Sequence, residues 1–234
     1  MSRNLFLIGT DTDVGKTYIA GLILKKLQEG GLHAAYYKAA MSGNARTADG
    51  ALIPGDALYV QQVSGIPQPL KSMCPYVYER AVSPHLAARL EGHPVDMARV
   101  LEGYHALCRA YDCVTLEGSG GILCPIRQDE QEIWLPDIVR ACGAGCLLVA
   151  DAGLGTINAV GLTAFYLKAN AIPLKGIVLN HFVPGDVMHE DNRNMCAAIA
   201  QCPVVACVKD GDASLDLSLD GLLSLYEPAK EAAS

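Results

Sequence analysis

Residues 9–17, GTDTDVGKT, restrict the fold of this chain more than any other stretch. They follow the apolar run LFLI and open a segment in which Ile19, Leu22, Ile23 and Leu27 recur at helical spacing. That pattern predicts a buried strand over 4–8, a glycine loop, and a helix over 17–28. The loop has the composition of a phosphate-binding loop, G-x-x-x-x-G-K-[ST], except that five residues instead of four separate Gly9 from Gly15. Backbone N–H groups at the start of a helix have no partner within it, so a glycine-rich entry turns them into a cradle for phosphate oxygens. Lys16 would add a cation there, and Thr17 a hydroxyl for Mg²⁺. Capping by Thr10, Asp11 or Thr12 would explain a turn, but it would not call for Gly-Lys-Thr directly after a strand.

The alternation continues along the chain. HAAYYKAA (33–40, ending near Lys38), CVTLEG (113–118), CLLVADAG (146–153), KGIVLN (175–180) and PVVACV (203–208) read as strands. Helical patterns over 97–110, 133–141, 159–169 and 191–200 separate them. Near-continuous apolar strands alternating with helices predict an α/β fold of phosphate-loop NTPase type. It is expected as a single domain over 1–234, with a doubly wound, mostly parallel sheet flanked by helices. Residues 41–69, with a helical piece near 56–63, read as an insertion over the sheet edge. The segment 214–228 suggests a terminal helix and AKEAAS a frayed end, so 211–234 is the least determined part.

Composition narrows the partners. Eighteen basic against 25 acidic residues give a formal charge of −7, which argues against a nucleic-acid or anionic-membrane surface as the main partner. A small-molecule site is expected instead. The nine cysteines are scattered without a C-x-x-C pair, as in a reduced, cytoplasmic protein, and no signal peptide or membrane span is expected. Among acidic and basic residues, Lys38 and Glu117 each end a strand, where ligands of open parallel sheets bind. Glu117 precedes the glycines at 118, 120 and 121 and is placed to hold Mg²⁺, with Asp151 competing from another strand end. Taken alone, Lys38 could be a surface lysine and Asp56 a helix cap.

Six segments in order, GTDTDVGKT, YYKAAMSG, GDAL, SPHLAA, LEGSGG and GLGTINAVGLTAFYL, closely resemble the dethiobiotin synthetase family, as far as VLNHF at 178–182. The longer phosphate loop is that family's own spelling. The resemblance implies an ATP-dependent ligase of biotin synthesis that acts on 7,8-diaminopelargonate and CO₂. It implies that Lys16 and the loop amides of Asp13, Val14, Gly15, Thr17 and Tyr18 bind the phosphates, with Gly118 and Gly120 also at the nucleotide. Thr17, Asp56 and Glu117 would surround Mg²⁺. Lys38 would be the catalytic residue, with Lys16 beside it, and Thr12 and Ser42 would touch the diamine or carbamate. In a homodimer, Gly155, Thr156, Ile157 and Asn158 would reach the substrate from across the interface, and Asn180 would read adenine.

Two departures stand out. Ala39 replaces the proline that often follows the catalytic lysine, and ACVKD at 206–210 replaces the late adenine loop, which leaves base selectivity open. A partitioning-type ATPase of the same fold would carry a second lysine early in the loop, where TDTDV has none. A cobyrinate-type ligase would need a glutaminase domain for which the chain is too short. A nucleotide-binding regulatory domain without chemistry would have no use for Lys38, Ser42 and Glu117 together.

Overall fold

A computed structural model describes residues 2–230. β1 (Arg3–Gly9) and α1 (Lys16–Glu29) flank the glycine loop, and β2 (Ala34–Lys38) follows. An excursion then carries β3 (Ala40–Met41), α2 (Gly55–Ser64), a 3-10 turn (Leu70–Ser72), β4 (Tyr76–Val77) and α3 (Pro84–Leu90). α4 (Met97–Ala110) leads into β5 (Cys113–Gly121), the hairpin of β6 (Pro125–Gln128) and β7 (Glu132–Trp134), and α5 (Leu135–Cys142). β8 (Cys146–Asp151), α6 (Thr156–Ala169), β9 (Leu174–Asn180), α7 (Val187–Ala200), β10 (Val204–Cys207), α8 (Leu219–Leu223) and β11 (Glu227–Pro228) complete the described chain.

Six strands pair in parallel in the order β10-β9-β8-β1-β5-β2, and β11 lies antiparallel to the start of β1. Because successive strand residues point to opposite faces, each strand feeds two cores. Phe6, Ile8, Tyr37, Leu116 and Leu148 face α4, α5, α6 and α7, whereas Leu5, Leu7, Tyr36, Leu147 and Val149 face α1, α2 and α8. This is the doubly wound α/β fold that the strand–helix alternation predicts. The chain leaves β1 toward β2 on one side and returns to β8 on the other. The switch point, and with it the expected ligand crevice, therefore lies at the carboxyl ends of β1 and β5.

The excursion between β2 and α4 is longer than the insertion expected at 41–69 and guards the edge of the sheet. Gln68, fully buried, acts as a surrogate strand: its Oε1 accepts from the Tyr36 N–H at 2.7 Å and its Nε2 donates to the Tyr36 carbonyl at 3.0 Å. The Lys38 N–H donates to the Met73 carbonyl at 2.9 Å. These bonds stop β2 from offering an open edge and fix the backbone on both sides of Tyr37.

Several boundaries differ from the sequence expectation for identifiable reasons. The helix expected over 133–141 starts at Leu135, because Ile133 belongs to the β6–β7 hairpin; the Asp137 carboxylate then caps the Trp134 N–H at 2.8 Å. α7 starts before residue 191, at Val187, where the Asp186 carboxylate accepts from the His189 N–H at 3.0 Å. The terminal helix expected over 214–228 is only Leu219–Leu223. Leu225 and Tyr226 turn into the core, the Tyr226 hydroxyl meets Thr115 Oγ1 at 2.6 Å, and Glu227 and Pro228 then run beside β1. Of the expected frayed end, Ala229 is tied to Ser2 by a 2.9 Å backbone bond, and 231–234 lie outside the described residues. Replacing Gln68 by Leu leaves the Tyr36 N–H and carbonyl unpaired, so stability to urea should fall by about 2 kcal/mol or more; an unchanged midpoint would show that Gln68 is not the edge cap.

Candidate active site

α1 starts with Gly15 in the left-handed region (φ 87°) and no side chain caps it, so its first N–H groups face the loop unpaired. Two glycines are demanded by space. A Cβ on Gly15 would lie 2.1 Å from Asn180 Nδ2, and one on Gly9 would lie 2.6 Å from the Asp11 carbonyl and 2.8 Å from Lys16 Nζ. The loop wraps around the lysine, whose Nζ donates to the Asp11 carbonyl at 2.7 Å and the Thr12 carbonyl at 2.9 Å. Burial lowers the Lys16 pKa to about 8, against the opposing pull of the Glu117 carboxylate. A phosphate in the loop would favour the charged ammonium further.

The second half of the site follows from strand register. Lys38 on β2 is the direct parallel partner of Glu117 on β5, and both side chains point to the α1 face. Lys38 Nζ meets Glu117 Oε1 at 2.6 Å and Asp56 Oδ2, from the first turn of α2, at 2.7 Å. Thr17 Oγ1, from the first turn of α1, donates to the same Glu117 Oε1 at 2.9 Å. Tyr36, two residues before Lys38 and on the same face, donates its hydroxyl to Glu117 Oε2 at 2.8 Å. Burial works against the Lys38 charge, but the Glu117 and Asp56 carboxylates overcome it and hold its pKa above the ordinary lysine value. Burial, reinforced by Glu117, raises the Tyr36 hydroxyl well above its usual range, which keeps it a neutral donor.

These groups open onto one cleft of about 640 Å³, within the usual range for small-molecule sites. Of the residues expected from sequence, Thr12, Asp13, Gly15, Lys16, Thr17, Lys38, Ser42, Asp56, Glu117 and Gly120 line it. Val14 is buried beneath the loop, and the Tyr18 side chain turns away to the Asp212 carbonyl. Gly118 packs against Leu135. Asn180 is also buried: its Nδ2 donates to the Val14 carbonyl at 3.2 Å while its Oδ1 has no partner. Gly155, Thr156, Ile157 and Asn158 start α6 outside this cleft. Asp151 is engaged elsewhere, accepting from Gly153 N–H and His181 Nδ1, each at 2.6 Å.

Reading by residue type missed four contributors. Tyr36 looks like any aromatic core residue in an apolar strand. Asn44, buried in the excursion, accepts from the Gly55 N–H at 2.8 Å and donates to the Met41 and Tyr78 carbonyls, which anchors the start of α2 and hence Asp56. Ser83 lines the cleft at the start of α3, where Ser-Pro is a helix-start signal that could have drawn attention. Cys124 lines it too, but burial pushes its thiol up to about 11, so it is no nucleophile at neutral pH.

The chemistry available is cationic and metal-binding. Asp56 Oδ2 and Glu117 Oε1 already converge on one cation, the Lys38 ammonium, with the Thr17 hydroxyl beside them. Among the described residues no group of three or more His, Cys, Asp or Glu is clustered to hold a metal. Two carboxylates and a hydroxyl nevertheless fit Mg²⁺, which takes few protein ligands and fills its octahedron with water and phosphate oxygens.

A parallel sheet with its glycine loop, lysine and a buried glutamate on β5 at the switch point defines a phosphate-loop α/β nucleotide-binding protein. The AAA domain family matches residues 3–214. The fold is shared with a ParA family ATPase from Chlorobium tepidum (TM-score 0.53, 15% identity, 95% of this chain and 88% of that one). It is shared too with the MinC:MinD cell division complex of Aquifex aeolicus (TM-score 0.52, 12% identity, 89% and 82%). Sequence similarity is far closer to the ATP-dependent dethiobiotin synthetases. One from Clostridium botulinum (strain Loch Maree / Type A3) is 40% identical over 227 residues, 97% of this chain and 99% of the relative. Another from Brachyspira hyodysenteriae is 40% identical over 217 residues, 92% and 96%. The chain belongs to the dethiobiotin synthetase family.

Gly15→Ala would strain the left-handed turn and push the side chain into Asn180. Loss of a single charge-assisted bond to phosphate corresponds to about tenfold or more in affinity, and ATP binding by calorimetry should weaken by at least that. Unchanged ATP binding would remove the loop from the nucleotide site.

Proposed function

We propose that this protein is a ring-closing ligase that converts 7,8-diaminopelargonate and CO₂ to dethiobiotin, with ATP cleaved to ADP and phosphate. The observation that carries the reading is the meeting of Lys16, Lys38, Asp56 and Glu117 in one cleft, in a chain that matches dethiobiotin synthetases along 97% of its length. In this reading an amine of the substrate takes up CO₂ to form a carbamate, and a carbamate oxygen attacks the γ-phosphorus and displaces ADP. The neighbouring amine then attacks the carbonyl carbon of the carbamic–phosphoric anhydride, closing the ring and expelling phosphate.

Such a reaction needs positioning and charge neutralisation more than covalent help. The loop N–H groups and Lys16 hold the phosphates. Thr17, Asp56 and Glu117 would hold Mg²⁺, which when bound would neutralise phosphate charge. Lys38 serves the charge that develops between carbamate and γ-phosphate, and Thr12 and Ser42 orient the diamine end from the cleft wall. Asn180 is our candidate for reading the base. Its buried, unpartnered Oδ1 supports this.

A homodimer belongs to the same reading. Leu162 and Phe165 on α6 and Met195 and Ile199 on α7 are exposed, Phe165 by 71%, and the two helices close on each other where Gly161 meets Ile199. We assign this apolar face to a second copy, which would bring Gly155, Thr156, Ile157 and Asn158 of one protomer to the cleft of the other. One domain over the described chain and a reducing, cytoplasmic site of action complete the proposal. Among the described residues no helix is long and apolar enough to cross a membrane.

Phosphate release with ATP, Mg²⁺ and bicarbonate should rise strongly when 7,8-diaminopelargonate is added, with the cyclic urea seen by mass. Release indifferent to the diamine would sink the ligase reading. Lys38→Ala should lower kcat by about 100-fold or more with the circular-dichroism spectrum retained; near-normal turnover would remove Lys38 from its role. Phe165→Asp should shift the protein to monomer in sedimentation equilibrium and raise the KM for the diamine, whereas an unchanged mass would place the interface elsewhere.

A further inference from the structure

Lys38 occupies the space between the side chains proposed above to hold Mg²⁺. Its ammonium lies 2.7 Å from Asp56 Oδ2 and 2.6 Å from Glu117 Oε1, and Thr17 Oγ1 is hydrogen-bonded to that same oxygen. These are the three side chains assigned to Mg²⁺, and the lysine and the metal would meet on the same oxygen of Glu117. The second oxygen of Glu117 is already engaged on its other side. Tyr36, fully buried and held by Gln68 on its backbone, occupies Oε2 with its hydroxyl at 2.8 Å. Oε1 is the oxygen on the side of Lys38 and Thr17, which share it, and is therefore the one a metal beside Asp56 would contest.

We propose that Lys38 is the placeholder for the divalent cation: metal binding displaces its ammonium from Asp56 and Glu117 and thereby frees it to turn to the carbamate and γ-phosphate. The proposal rests on the assignment of Thr17, Asp56 and Glu117 to the metal. Before the metal enters, the two carboxylates are balanced by the lysine, which removes the cost of leaving them buried and unpaired. Afterwards the doubly charged ion balances them and Lys38 loses its partners, so an unneutralised cation is left beside the phosphates only when the metal is present. The catalytic lysine is then armed by the same event that completes the nucleotide site. Tyr36 is the positioning residue of this exchange, since its hydrogen bond decides which carboxylate oxygen is contested.

Direct metal binding tests this without turnover. Nucleotide-free wild type, Lys38→Met and Glu117→Gln are titrated with Mn²⁺ alone, and bound ion is read by electron paramagnetic resonance. Removing a like charge at this distance should tighten Mn²⁺ binding to Lys38→Met by about tenfold or more, although the same variant should lose turnover. Glu117→Gln should bind Mn²⁺ less well than wild type. If Lys38→Met binds Mn²⁺ no better than wild type, or neither binds, the exchange is overturned. If Glu117→Gln binds as well as wild type, the metal assignment itself is wrong. A second measurement keeps the wild-type fold: reductive methylation of Lys38, followed by peptide mass, should be faster with Mg²⁺ than without. Equal rates with and without Mg²⁺ would also overturn the exchange.

Discussion

The buried contact between Lys38 and Glu117 ties the sheet, the excursion and the phosphate loop to one point. It exists because β2 and β5 pair in parallel with these two residues in register, and because both side chains fall on the face covered by α1 and α2. The Glu117 side chain is fully buried and that of Lys38 is 9% exposed, so neither charge could remain there alone. Removing one partner of such a pair costs about 3–5 kcal/mol. Asp56 and Thr17 join the contact from the first turns of two helices, which makes the packing of both helices a condition of the site geometry.

The surrounding structure can be understood as support for that point. Gln68 and Met73 pin β2 from its free side, so the strand cannot slip and carry Lys38 away from Glu117. Asn44 anchors the start of α2 and with it Asp56. The Tyr36 hydroxyl fixes one carboxylate oxygen and leaves the other free for exchange. These residues touch no substrate in the proposed reaction, yet each fixes a degree of freedom in the groups that do. The same fold occurs in a ParA family ATPase and in the MinC:MinD cell division complex at 12–15% identity, so the fold alone does not settle the chemistry. The excursion between β2 and α4 contributes Ser42, Asp56 and Ser83 to the cleft, and thus most of what is not generic phosphate-loop architecture.

What could be read from the sequence follows the same physical division. The strand–loop–helix at 4–28 was legible because apolar runs, glycines and helical spacing are local signals. Lys38 and Glu117 were legible as charged residues that end apolar strands. Tyr36 was not, since a tyrosine in such a run is ordinary core until its hydroxyl is seen against a carboxylate. Asn44 and Gln68 act through bonds to distant backbone, a relation that no spacing rule encodes. The helix expected over 214–228 failed because leucines at helical spacing also suit a short turn whose next residues, Leu225 and Tyr226, are drawn into the core. α6 and α7 began earlier than expected because their starts are set by Gly155 and by the Asp186 cap.

In the proposed reaction a carbamate oxygen, formed from CO₂, attacks the γ-phosphate in this cleft. Reaction of the protein with ATP, 7,8-diaminopelargonate and ¹⁸O-labelled bicarbonate, quenched before the label exchanges with water, measures this at the atom concerned. One labelled oxygen should appear in the released phosphate, because the oxygen that bridged carbon and phosphorus leaves with phosphorus when the ring closes. Ring-closed product accompanied by unlabelled phosphate would contradict the account.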